Sequence, residues 1–280
     1  MTPVIPTVSL QLYTVNAALE PDLDAGVARL AAIGFDTVEA FAFVDRAPQL
    51  KQAFDAHGIS AKTGHAFLVE ESIPLPDGSV MTAPSHADTF AAAAVLGIEI
   101  VIDPFVGPDA WTTREGVERV AARLNAAAEE AAAQGMRVGY HNHDHELRPR
   151  IDGKPALQVL AELLDPRVVL ELDLYWASAA GIDVPAFVAE LGDRIVAVHV
   201  KDGPMREGIS TASVPTDQTP AGQGDVRLAE ALAAATALEY AVIEFDGFDG
   251  EIFDGVAQSH RWLTETLSAA ATPNKDEVHA

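Results

Sequence analysis

Residues 194–203 read RIVAVHVKDG: an apolar run, Ile195–Val200, rich in Val and Ile, too short for a helix, and followed at once by charged side chains. The same plan recurs at Val8–Tyr13, Thr37–Phe41, Ile59–His65, Glu99–Asp103, Arg137–His141, Val168–Asp173 and Tyr240–Glu244. At or near the end of each of these eight runs stands a polar side chain: Gln11, Glu39, His65, Asp103, His141, Asp173, His199 and Glu244. Between the runs lie helix-like segments rich in Ala, Leu and Glu: Asp22–Ile33, Pro48–His57, His86–Leu96, Thr113–Gln134, Pro155–Leu164, Val184–Leu191, Val226–Ala237 and Ile252–Leu267. Several stop at glycine, at Gly34, Gly58, Gly97, Gly135 and Gly192. Eight such units predict an α/β fold, a single (β/α)8 TIM barrel. In that architecture the C-terminal strand ends converge on one face and carry the chemistry. An open doubly wound sheet shares the local pattern, but it calls for a Gly-x-Gly-x-x-Gly turn or a clear switch point, and neither is visible.

A length of 280 residues fits one barrel domain over 1–270 with a polar tail over 271–280. The composition, 49% hydrophobic with mean hydropathy +0.12, supports a large core, yet no apolar run approaches the ~18 residues of a membrane span. The opening MTPVIPTVSLQLYTV has no basic region or small-residue cleavage site, so a cytoplasmic location is expected. The absence of cysteine excludes disulfides, thiolate metal sites and cysteine nucleophiles. A formal charge of −24 without a Lys/Arg cluster argues against nucleic acid and favours a neutral small molecule, although acidity also keeps an Ala-rich protein soluble. Two long connections, Ala66–Pro84 and Asp202–Gly224, are candidate lids on the catalytic face.

Alternation along a strand puts every second side chain on the same face. It groups His199 with Lys201, Asp173 with Glu171 and Tyr175, Glu244 with Asp246, and His141 with His143. Two imidazoles and two carboxylates from runs five to eight could surround one divalent ion, and mixed N/O ligation suits manganese, cobalt, zinc or iron better than calcium. A metal-free polar network around a sugar is the alternative.

These segments resemble the xylose-isomerase-like TIM barrels grouped as sugar phosphate isomerases/epimerases. The resemblance rests on SLQLYTV at 9–15, IGFDTVEAF at 33–41, GYHNHDHEL at 139–147, ELDLYW at 171–176, RIVAVHVKDG at 194–203, GQGDV at 222–226 and VIEFD at 242–246. It implies one divalent metal ion, manganese first, with cobalt, zinc, iron or magnesium as alternatives, held by His141, Asp173, His199 and Glu244. His141 departs from the pattern, because epimerases of this family usually carry a glutamate there and use it with the strand-eight glutamate as a pair of bases. Here Glu244 is in place, and the second base is one of His141, His143 or Glu146. Lys201 is either an oxyanion-stabilising acid or a partner of Asp202 or Asp173. The resemblance implies substrate contacts from Gln11, Glu39, His65 and Asp103, while Tyr175 and Trp176 could cover the apolar face of a sugar. The implied mechanism passes through an enediolate, with isomerisation or epimerisation as the leading outcome. Elimination by a lyase or dehydratase acting on a 3-keto sugar or inosose is the runner-up, and a non-catalytic sugar-binding or partner subunit is the alternative of another class. Family members are commonly dimers or tetramers.

Overall fold

A computed structural model describes residues 5–74 and 79–271. Eight parallel strands form one sheet: β1 (Thr7–Leu10), β2 (Thr37–Ala40), β3 (Ser60–His65), β4 (Ile100–Asp103), β5 (Arg137–His141), β6 (Val168–Asp173), β7 (Ile195–Val200) and β8 (Tyr240–Ile243). Neighbours in the sheet follow the order β1-β8-β7-β6-β5-β4-β3-β2. A parallel bridge between Gln11 and Glu39 joins the two end strands, so the sheet curls into a TIM barrel.

The helices begin and end where local chemistry dictates. Asp22, Ser85 and Thr113 accept backbone N–H groups at the starts of Leu23–Ile33, His86–Leu96 and Arg114–Ala132. Gly34 and Gly97 terminate the first two of these with left-handed backbone, a conformation that costs a residue with a Cβ. The remaining outer helices are Ala47–His57, Ala156–Leu163, Val184–Leu191, Leu228–Ala234 and Ile252–Ala271. Residues 272–280, most of the expected tail, lie outside the described part of the chain. So do residues 75–78 of the first candidate lid, which contains an antiparallel pair, Ser72–Pro74 with Val80–Thr82. Among the described residues no helix is long and apolar enough to cross a membrane.

Two apolar layers hold the fold together. The larger lies between strands and helices and includes Leu10, Val38, Val101, Val138, Leu170, Leu172, Val198 and Ile243. A small separate cluster, which includes Ile100, Ile102, Val169, Ala197, Tyr240 and Val242, fills the lower barrel. Gly139 makes room for it, since a Cβ there would lie 3.1 Å from Ile102 and 3.3 Å from Val169. Above that plug the inward side chains are polar.

Candidate active site

The polar strand ends meet in a buried network centred on two histidines. His199 Nδ1 lies 2.6 Å from Glu244 Oε2, while its Nε2 is 2.8 Å from Glu39 Oε1 and 3.1 Å from Glu171 Oε2. His141 Nδ1 lies 3.2 Å from Glu171 Oε2, and its Nε2 is 3.8 Å from Asp173 Oδ2. Each ring therefore turns one nitrogen to the Asp173/Glu244 side and the other to the Glu39/Glu171 side. The second side also holds His65, whose Nε2 is 2.7 Å from Glu171 and 3.0 Å from Glu39. Gln11 donates to Glu39 Oε1 at 2.7 Å and accepts the backbone N–H of Tyr13, so it completes this lower layer. Lys201 Nζ sits among three carboxylates, 2.6 Å from Glu244, 2.9 Å from Asp173 and 3.0 Å from Asp246.

Burial and charge set the protonation pattern. Burial alone would depress His65 and His199, but the facing carboxylates outweigh it: Glu39 and Glu171 push His65 up to about 10, and Glu171 and Glu244 raise His199 well above its usual value. Burial and neighbouring cations together hold His141 and His143 well below theirs. Burial lifts Asp173 to about 6 against the pull of Lys201, while Lys201 and His199 overcome burial and keep Glu244 low. Burial opposes the charge on Lys201, but Asp173, Asp246 and Glu244 raise its value well above normal.

His141, Asp173, His199 and Glu244 each offer one ligand atom, all within 4.8 Å of one another. The set of two imidazoles and two carboxylates suits a first-row divalent metal. Asp173 Oδ2 accepts no well-aligned hydrogen bond although Lys201 is close, and His141 Nδ1 and Glu171 Oε1 are likewise unsatisfied despite full burial. Of these, Asp173 Oδ2 lies on the Asp173/Glu244 side; an unsatisfied carboxylate oxygen this deep is costly, and a cation beside it would relieve that cost. A second grouping, His65, His141, Glu171 and His199, lies as close together, but its Glu171 Oε2 is already shared among all three of those imidazoles, whereas Asp173 Oδ2 of the first set accepts no well-aligned hydrogen bond. The residues therefore fit one metal on the Asp173/Glu244 side, with Glu39 and Glu171 orienting the two ligand rings from behind.

A cavity of about 320 Å³ opens above this network. Of the residues singled out from sequence, His65, His141, His143, Trp176 and Glu244 line it. Gln11 and Glu39 lie beneath, fully buried. Three others are turned to different tasks. Asp103 accepts the backbone N–H groups of Leu68, Val69 and Phe105, which fastens the connections after β3 and β4. Glu146 accepts the Tyr140 hydroxyl at 2.8 Å and the His143 backbone N–H at 2.9 Å, so it shapes the turn that presents His143. Tyr175 is absent from the lining because β6 ends at Asp173, whose Oδ1 accepts the Trp176 N–H and starts a short helix, Leu174–Ala179. The helical step carries Tyr175 against Gly203 and brings Trp176 to the cavity.

Several residues given little weight in the sequence prove central. Glu171 and Asp246 were grouped only by alternation. Asn142 accepts the Asp173 backbone N–H, and Gln218 binds the Asp246 backbone and carboxylate. The connection after β7 is anchored twice. At its ends Asp202 accepts four backbone N–H groups, from Gly203, Gly222, Gly224 and Val226. At its middle Asp144 Oδ1 accepts Thr211 N at 3.1 Å and Thr211 Oγ1 at 2.7 Å. Asp144 Oδ2 accepts Arg148 Nε at 2.7 Å, and the same guanidinium donates to the carbonyls of Ala179 and Ile209. This latch holds Thr211 and Val214 at the cavity wall.

Parallel strands closed by the Gln11–Glu39 seam, with the polar centre at their C-terminal ends, define a TIM barrel whose site is built as enzyme sites of this fold are. Residues 27–266 match the profile of the xylose isomerase-like TIM barrel family, and the chain belongs to that family. No curated protein matches its sequence. Among solved structures, a sugar phosphate isomerase/epimerase from Parabacteroides distasonis ATCC 8503 is similar with a TM-score of 0.75 and 21% identity, over 93% of this chain and 98% of that one. The zinc-bound IolI protein gives a TM-score of 0.68 at 14% identity, over 94% and 99%. The probable 3-DHS dehydratase AsbF from Bacillus anthracis gives 0.67 at 16% identity, over 92% and 98%. At these identities the likeness establishes the shared fold.

Proposed function

We propose that this chain is a divalent-metal-dependent enzyme that removes the proton from a carbon beside a carbonyl in an uncharged keto-sugar or polyol and returns it as an isomerase or epimerase. The observation that carries this reading is the convergence of His141, Asp173, His199 and Glu244, where the buried Asp173 Oδ2 accepts no well-aligned hydrogen bond, on the floor of a substrate-sized cavity. A divalent ion there, manganese first and cobalt, zinc, iron or magnesium as alternatives, would polarise the carbonyl and its neighbouring hydroxyl. The zinc of the IolI relative supports a metal at this place.

The chain's own side chains supply the rest. His143 lines the cavity with a buried Nδ1 that has no partner, so it is positioned to accept a substrate proton. The buried Trp176 Nε1 also lacks an acceptor and lines the cavity, where a substrate oxygen would satisfy it. Glu244 is the carboxylate able to handle the proton from its own side, while Lys201, clasped by three acids, balances charge. Among the described residues no Lys or Arg lines the cavity, which favours an unphosphorylated substrate.

A lyase or dehydratase is the second reading, favoured by Glu146. That acid of the strand-five turn is committed to Tyr140 and the His143 backbone, so it does not supply a second carboxylate base opposite Glu244. One base and a departing β-substituent suit elimination, and the dehydratase relative is consistent with it. The test is metal analysis of the purified protein and of Glu244→Gln, followed by NMR of a keto-sugar panel in D2O with manganese restored. About one equivalent of metal, reduced in the variant, with deuterium entering a carbon beside the carbonyl, is expected; an unsaturated product selects elimination. No metal under any loading and no exchange would sink the enzyme reading and leave a sugar-binding subunit.

A further inference from the structure

The mouth of the cavity differs in kind from its floor. The floor side chains His141 and Glu244 are buried, whereas the more open lining includes Tyr13, Phe41, Phe67, Phe105 and Val214. These five come from five separate connections, those after β1, β2, β3, β4 and β7, so their meeting is not the packing of one loop. Tyr13 is 47% exposed and stacks edge-on against Phe41 at 5.2 Å, and Val214 is 49% exposed. A lone exposed Tyr or Val needs no explanation, but a ring of them around a cavity with a polar floor marks a binding surface.

We propose that this mouth is a subsite for a flat apolar group carried by the substrate, so that the molecule processed is a keto-sugar glycoside with an aryl aglycone rather than a free sugar or a sugar phosphate. The proposal rests on the reading that the floor receives the sugar. A free sugar would satisfy the donors and acceptors of the floor and leave the rings above it facing water. Among the described residues the mouth offers a phosphate no Lys or Arg; its wall is Phe rings, Tyr13, Pro104, Val214 and Thr211, whose hydroxyl already serves Asp144. An aromatic ring is the group that this wall complements, through offset and edge-on contacts. The Asp144 latch anchors Thr211, three residues before Val214, before anything binds, which limits the ordering cost of capture.

The experiment is calorimetric titration of the manganese-loaded full chain with phenyl and methyl 3-keto-β-glucoside and with glucose 6-phosphate, repeated on Tyr13→Ala and Val214→Asp. Phenyl glucoside should bind at least about tenfold more tightly than methyl glucoside, and that ratio should fall towards one in both variants while metal content and melting temperature stay at wild-type values. Equal affinity for the two glucosides, failure of both to bind, tighter binding of glucose 6-phosphate, or a preference that survives both substitutions overturns the proposal. Failure of the metalloenzyme reading is separately visible as absence of metal, and a phenyl preference lost in the variants would stand in spite of it.

Discussion

Replacing Asp144 with alanine removes three hydrogen bonds from one buried carboxylate, two to Thr211 and one to Arg148. The Asp144 side chain is only 2% exposed, but Arg148 is partly open to water and will find other acceptors. The net loss is therefore dominated by Thr211, whose N–H and hydroxyl both give up a charged acceptor. Hydrogen bonds to charged groups contribute about 1.5–3 kcal/mol each, and water entering the half-buried site restores part, so the local opening free energy of the loop should fall by about 2–3 kcal/mol. In hydrogen exchange this corresponds to amides of residues 209–215 exchanging about 30- to 150-fold faster, with little change in the β-strands. Mass spectrometry of peptides from that segment measures it directly. Exchange within about threefold of wild type would refute the latch and leave the Asp202 anchor as the sole restraint.

Other perturbations probe other parts of the molecule. Asp144 also carries a pH signature: burial pushes its carboxyl up, yet Arg148 and Thr211 outweigh this and hold it below the usual aspartate value. Its contribution is thus complete above the ordinary value near 4 and is lost as pH falls through the lower folded-state value, so the difference in melting temperature between wild type and Asp144→Asn should be flat above about pH 5 and shrink below about pH 4. Lys201→Met leaves Asp173, Glu244 and Asp246 without their common cation; urea denaturation in EDTA should show about 3–5 kcal/mol of lost stability, and a smaller loss in manganese, with equal losses counting against shared neutralisation by the metal. Gly224→Ala puts a Cβ into Asp202 Oδ1 and Gly203 N, and should cost about 1–3 kcal/mol in chemical denaturation.

The barrel was legible because its signal is repeated: each strand is a short Val/Ile run, and errors in one do not disturb the other seven. Alternation also carried information beyond the strands, since Lys201, His143 and Asp246 all reach the network or the cavity. It failed after Asp173, because that side chain caps a helix and the period changes from two to 3.6 at Leu174. Asp103 shows a different limit. A four-residue strand fixes which way the carboxylate leaves the sheet, but not whether the connecting loops will take both its oxygens, and they do so: the amides of Leu68 and Val69 donate to Oδ2 and that of Phe105 to Oδ1. The task of Glu146, named from the sequence as a candidate base, was hidden for the same reason: its partners, Tyr140 and the His143 N–H, are close in sequence but meet it only through the fold of the turn.

Glu39 belongs at once to the bridge that joins β1 to β2 and to the contacts that hold His65 and His199. Mechanical closure and proton placement thus share one residue, whose backbone forms the bridge and whose carboxylate accepts Gln11 Nε2 across it as well as facing the imidazoles. A substitution at Glu39 changes both quantities together, so inactivity of such a variant identifies neither a substrate contact nor a proton donor. The separable handles lie on the loops, at Tyr13, Phe105 and Val214, where a side chain can be exchanged without reopening the cylinder that carries it.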